Sequence, residues 1–176
     1  MIRILISLSL FILTSCTGEE APIKESRNTA EFHQNEIWSP EIVISQEEQL
    51  SIRTVGDRLI KNDGEDALLF GNVLADFYQD DGSHSSVMYS DSALIHEQSN
   101  NFEAIGNVRV VSDSGLTLET HRLIWDNRYR MIISHDSVLF TTEEMDTLYG
   151  TGFESDMDLS HWRIKDPSGV TSRELR

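Results

Sequence analysis

The sequence holds a single cysteine, Cys16, and six histidines that never cluster: His33, His84, His96, His121, His135 and His161. A disulfide within the chain is excluded, and no metal site is expected, because neither a Cys-x-x-Cys pair nor a His-Glu-x-x-His turn is present. No Gly-x-Ser-x-Gly elbow exposes a serine nucleophile. Gly150-Thr151-Gly152 lacks the third glycine and following helix of a dinucleotide fold. None of the three lysines follows a glycine, as a phosphate-cradling loop requires, so nucleotide hydrolysis is not expected and neither is any cofactor. Positive charge is scarce too: 14 Lys and Arg against 30 Asp and Glu give a formal charge of −16. A surface of that sign repels phosphate backbones and anionic headgroups, which disfavours nucleic-acid binding and docking on an acidic membrane. No stretch of about eleven residues carries a 3.6-residue apolar period, so amphipathic helices are not expected.

What is present begins at the N-terminus. Arg3 supplies a short positive segment, Ile4 to Leu13 are apolar apart from Ser7 and Ser9, and Leu13-Thr14-Ser15-Cys16 completes a lipobox. The run is too short to span a bilayer as a helix, which needs about 20 residues. Residues 1–15 read as a lipoprotein signal peptide and Cys16 as the lipidated residue. Acyl chains worth about 0.8 kcal/mol per buried CH₂ then hold the chain at a membrane surface. With its one thiol consumed, the chain suits an oxidising compartment. The mature chain has 161 residues (176 minus 15) and, without Arg3, a formal charge of −17. That is enough chain for one domain with a real core. Residues 16–36 read as the lipidated cysteine and a flexible polar linker, 37–171 as the domain, and 172–176 as a tail.

From Ile37 the chain consists of short apolar stretches divided by turn residues, the pattern of an all-β protein. Asn62-Asp63-Gly64, Asp80-Asp81-Gly82 and Ser112-Asp113-Ser114-Gly115 place Asx or Ser ahead of glycine, which predicts hairpins. They lack the spaced acidic ligands and distal glutamate of a calcium loop. Beneath the turns lies a repeat. Phe70-Gly71-Asn72-Val73 returns as Ile105-Gly106-Asn107-Val108, with His135-Asp136-Ser137-Val138 one unit later and Val43 as a weaker earlier member. The four valines are 30, 35 and 30 residues apart. A second mark repeats between them, Leu94-Ile95-His96-Glu97 and then Leu123-Ile124-Trp125-Asp126. Each unit is thus a pair of strands stacked on the next. Alternation sets Val73, Ala75 and Phe77 against Leu74, Asp76 and Tyr78, and Val108 and Val110 against Asn107 and Arg109. Units that cannot bury an apolar face alone predict two packed antiparallel sheets, an antiparallel β-jelly-roll or folded repeat of paired strands. An immunoglobulin-like sandwich lacks its Cys and Trp spacing, and a parallel β-helix is a third arrangement.

The inward positions Val73, Phe77, Phe102, Val108, Val110, Leu116, Leu118, Val138 and Phe140 are the candidate lipid-binding groove. They form either an ordinary filled core or, if the layers part at one edge, a slot for acyl chains. No catalytic residues are assigned, and an enzyme is not expected. A carboxylate pair acting on envelope glycans and a structural lipoprotein without ligand remain the alternatives.

The stretch from Gly71 to Val170 resembles the LptC family of lipopolysaccharide-export proteins, in its lipoprotein-anchored form. The matching segments are Val73-Leu74-Ala75-Asp76-Phe77-Tyr78, Glu103-Ala104-Ile105-Gly106-Asn107-Val108, Ser112-Asp113-Ser114-Gly115, Leu123-Ile124-Trp125-Asp126, Gly150-Thr151-Gly152-Phe153-Glu154-Ser155-Asp156 and Trp162-Arg163-Ile164. The resemblance implies a β-jelly-roll that receives lipopolysaccharide from the LptB, LptF and LptG inner-membrane transporter and passes it to LptA. It also implies that strand edges near Trp38 to Ser45 and Trp162 to Lys165 pair with those partners. Family members with a transmembrane helix differ from this lipobox chain. The expected location is the periplasm, anchored to the inner membrane through Cys16. Thr17 is not the aspartate that retains lipoproteins there in enteric bacteria, so the outer membrane is the alternative.

Overall fold

In a computed structural model the chain is described over residues 34–46, 48–144 and 146–168. The signal segment, Cys16 and nearly all of the linker lie outside the described residues. Among the described residues there are eleven strands and no helix. Four short strands come first: β1 (Gln34–Trp38), β2 (Glu41–Gln46), β3 (Gln49–Val55) and β4 (Arg58–Asn62). Longer ones follow: β5 (Ala67–Tyr78), β6 (His84–His96), β7 (Asn101–Ser112), β8 (Thr117–Asp126), β9 (Met131–Thr141) and β10 (Thr147–Ser155), with β11 (Trp162–Pro167) last. The first strand therefore begins inside the stretch read as linker.

All of them form one open antiparallel sheet in the order β1-β4-β5-β6-β7-β8-β9-β10-β11. The fold is all-β and jelly-roll-like, as expected, but hydrogen bonding makes the two expected sheets a single one folded over on itself. β5 shows how: Leu68–Phe70 pair with β4, whereas Leu74–Phe77 pair with β3, which carries β2 on its far side. The fold line is a row of β-bulges. Between Phe70 and Val73, and again between Ile105 and Val108, the register slips by one residue against the neighbouring strands. A bulge bends and twists its strand, so a row of them turns the sheet through a corner.

The repeat marks are these corners. At the first, Gly71 and Asn72 take φ of 73° and 46°; at the second, Gly106 and Asn107 take 81° and 45°. Glycine and asparagine are the residues that occupy this left-handed region most readily. Each asparagine amide donates to a carboxylate on the preceding corner, Asn72 Nδ2 to Asp57 at 2.9 Å and Asn107 Nδ2 to Asp91 at 2.8 Å. The third mark, His135-Asp136-Ser137, bulges without positive φ and so has no need of glycine. Val43 marks no corner: it is 55% exposed on β2, and the corner that precedes Gly71-Asn72 is crossed at Gly56-Asp57 instead. The predicted hairpins close β4–β5, β5–β6 and β7–β8, with Gly64 at a φ of 76°.

The core fills the space between the two layers. Phe77 of β5 lies against Trp125 of β8 with ring centroids 6.4 Å apart, and Phe140 of β9 stacks near Phe153 of β10 at 5.5 Å.

Candidate functional site

The interior is built strand by strand from alternating residues. β5 directs Val73 and Phe77 inward, β7 directs Phe102, Val108 and Val110, β8 directs Leu118, and β9 directs Val138 and Phe140. These eight candidates are at most 3% exposed and belong to one continuous cluster. Leu116, in the turn before β8, is only partly buried and packs on the cluster's rim. The predicted residues are thus brought together as a closed apolar interior.

Sequence reading missed many other members of that interior, among them Met88 and Ala93 on β6, Leu123 and Trp125 on β8, Phe153 on β10, and Met157 and Leu159 in the β10–β11 loop. Even-numbered strands change inward parity at the corner, from Met88 to Ala93 and from Leu118 to Leu123, because their partners carry the extra residue. Alternation read straight through such a strand assigns half of it to the wrong face. The repeat itself held the signal: Ala93 precedes Val108 by 15 residues, as Leu123 precedes Val138, one residue out of phase with the second mark as read.

Polar chemistry sits outside this interior. His96 lies between Asp66 (2.7 Å) and Glu103 (3.2 Å), and His84 between Asp113 (2.8 Å) and Asp76 (3.5 Å), so the two ends of β6 are pinned to both neighbouring strands. Burial pushes the His96 imidazole down, but the hydrogen bonds to Asp66 and Glu103 outweigh it and hold its pKa above the ordinary 6.5. A hollow beside it is lined by Glu65, Asp66, His96 and Gln98, and its carboxylates are taken: Asn62 donates to Glu65, while His96 and the Glu97 N–H engage Asp66. Among the described residues, no three acidic, histidine or cysteine side chains are placed to hold a metal. Several cations are likewise engaged by carboxylates across the sheet, Arg53 by Glu41, Lys61 by Glu97 and Arg122 by Glu103. The interior itself offers mainly apolar contact.

Among the described residues, a strand edge is left unpaired at both ends of the roll. At the first end, β1 and β2 each have one free edge, with Ile37, Trp38 and Val43 more than half exposed. At the other, β11 pairs among the described residues with β10 alone. Its Lys165 and Arg163 clamp Glu154, at 2.9 and 2.5 Å, and hold that carboxyl below its usual range. Trp162 leans on Phe140 with centroids 4.7 Å apart and covers the end of the core. Free edges of this kind are templates for another chain's strand.

Residues 44–165 match the family described as OstA-like protein. No curated protein matches the chain.

Proposed function

Because the chain belongs to the OstA-like protein family, the fold family of LptA and LptC, we propose that it is an LptC-type bridge for lipopolysaccharide. In this reading it receives the lipid from the LptB, LptF and LptG transporter of the inner membrane and hands it to an LptA-like periplasmic protein. The observation that carries the reading is one apolar interior running from β2 to β11, with a strand edge left unpaired at each end among the described residues. Acyl chains of lipopolysaccharide offer the matching chemistry, each buried CH₂ being worth about 0.8 kcal/mol. The acidic outer surface leaves the phosphorylated head in water. The strands β1 and β2 would meet the transporter's side, and β11 the carrier's, by adding strand to strand. Cys16, acylated, would tether the domain to the periplasmic face of the inner membrane. The chain does no chemistry of its own in this scheme: the transporter's ATPase supplies direction, and the apolar interior supplies only a path.

Reconstitution tests this. Proteoliposomes containing the transporter and labelled lipopolysaccharide are mixed with soluble carrier, with and without this chain. ATP-dependent labelling of the carrier only when the chain is present supports the bridge. Equal labelling without it refutes the role.

A further inference from the structure

The two layers are joined along the corners by the backbone of every long strand, and within each layer by ladder hydrogen bonds. On the opposite side, among the described residues, side chains do the fastening. There the tip of the β5–β6 hairpin in one layer meets two turns of the other. Arg130, in the β8–β9 turn, reaches across with its whole guanidinium. Nη1 donates to the buried hydroxyl of Ser51 at 3.0 Å, Nη2 to the Tyr78 carbonyl at 2.8 Å, and Nε faces Asp80 at 3.0 Å. In the β10–β11 loop, Asp158 accepts from Gln79 at 3.2 Å and the Met157 carbonyl accepts from Ser86 at 2.6 Å.

The backbone at Arg130 is unusual for an arginine. The β6–β7 and β8–β9 hairpins have the same four-residue loop, closed by the pairs His96–Asn101 and Asp126–Met131. In both, the fourth loop residue is left-handed, Asn100 at a φ of 54° and Arg130 at 52°. Asparagine suits that conformation; arginine is strained there, and its cross-layer contacts are what offset the strain. Trp125, near the end of β8 and five residues before Arg130, is fully buried against Phe77, and its indole N–H has no hydrogen-bond partner among the described residues. A buried donor left unpaired is costly and is satisfied by any acceptor that enters.

We propose that this seam is the side entrance through which an acyl chain reaches the interior, with Arg130 as its latch and the Trp125 N–H as donor to an ester or hydroxyl oxygen of the lipid. The proposal rests on the lipid-carrying reading above. Opening here exchanges a few polar contacts for water, whereas opening at the corners would unfold strands.

The test uses the full chain with a benzoylphenylalanine photoprobe at Val110 and purified lipopolysaccharide. Arg130→Asn, which suits the left-handed backbone but cannot span the seam, is expected to raise the rate of lipid adducts about tenfold, equivalent to about 1.4 kcal/mol of latch. In a second variant, Gln79→Cys with Asp158→Cys, the seam is bridged by a short bis-methanethiosulfonate. Adducts should then cease and return when reductant cleaves the bridge. In a Trp38→Phe, Trp162→Phe background, the remaining Trp125 emission should shift on lipid addition only when the seam is unbridged. Adducts at an undiminished rate in the bridged protein, or no acceleration in Arg130→Asn, overturn the latch alone. No adducts even in the unbridged parent overturn the lipid-carrying reading, and the latch with it.

Discussion

Gly106→Ala should be far more damaging than its size suggests, and the structure says by how much. Gly106 has a φ of 81°, where an alanine pays the left-handed penalty of about 1–2 kcal/mol. Its new Cβ would also run into the Asp91 carboxylate. Asp91 would have to move away from the Asn107 amide that it accepts from, at 2.8 Å, losing an exposed hydrogen bond worth about 1 kcal/mol. The sum is roughly 2–3 kcal/mol. Gly64→Ala is the internal control, with a φ of 76° but open space around the added methyl, so it carries the backbone penalty alone. At about 3–5 °C per kcal/mol for a domain of this size, thermal unfolding followed by circular dichroism should show roughly 6–15 °C for Gly106→Ala and about half that for Gly64→Ala. Adding Asp91→Ala to Gly106→Ala removes the obstruction, so the double variant should cost about 1 kcal/mol less than the sum of the singles. Equal shifts for the two glycine variants, together with strict additivity in the double, would refute the corner as described.

Phe77→Ala removes a fully buried ring from between the layers and should cost about 3–5 kcal/mol in urea unfolding. His96 has a folded pKa above its unfolded value, so its stabilisation is fully present below about pH 6.5 and fades as pH rises through the folded pKa. The urea midpoint of the parent should therefore fall between about pH 5.5 and pH 8.5 by more than that of His96→Gln; parallel falls would show that the imidazole is not held between its two carboxylates. Photoprobes in cells at Val43 on β2 and at Lys165 on β11 should capture different proteins, a transporter subunit and a periplasmic carrier respectively. Cys16→Ala should release the chain from the membrane fraction; unchanged sedimentation would remove the lipid anchor from the account.

The parts of the fold legible in the sequence are those where local chemistry and tertiary geometry demand the same residue. Gly-Asn at 71–72 and 106–107 stood out as a repeat because a left-handed bulge accepts little else, and the strands just after it, Val73 to Phe77 and Val108 to Val110, keep simple alternation. Beyond the corner on β6 and β8, alternation restarts one residue out of phase, which is why Ala93, Leu123 and Trp125 were not assigned to the interior. The jelly-roll was legible from paired strands, but its single continuous sheet was not, since hydrogen bonding through a bend leaves no compositional trace. Nor was the Arg130 contact, which joins residues 79 and 52 positions apart. Val43 was misleading for the opposite reason: an apolar residue on an exposed edge strand imitates a core position when only its neighbours in sequence are seen.

The central claim is that lipopolysaccharide passes through the interior of this roll, and photo-crosslinking in living cells tests it most directly. Probes go at Phe77 and Val110, which are fully buried, and at their outward neighbours Asp76 and Arg109. Lipopolysaccharide adducts at the inward pair, and none at the outward pair, are the predicted result. Normal expression with no adduct at either inward site would contradict it and leave the interior a closed core.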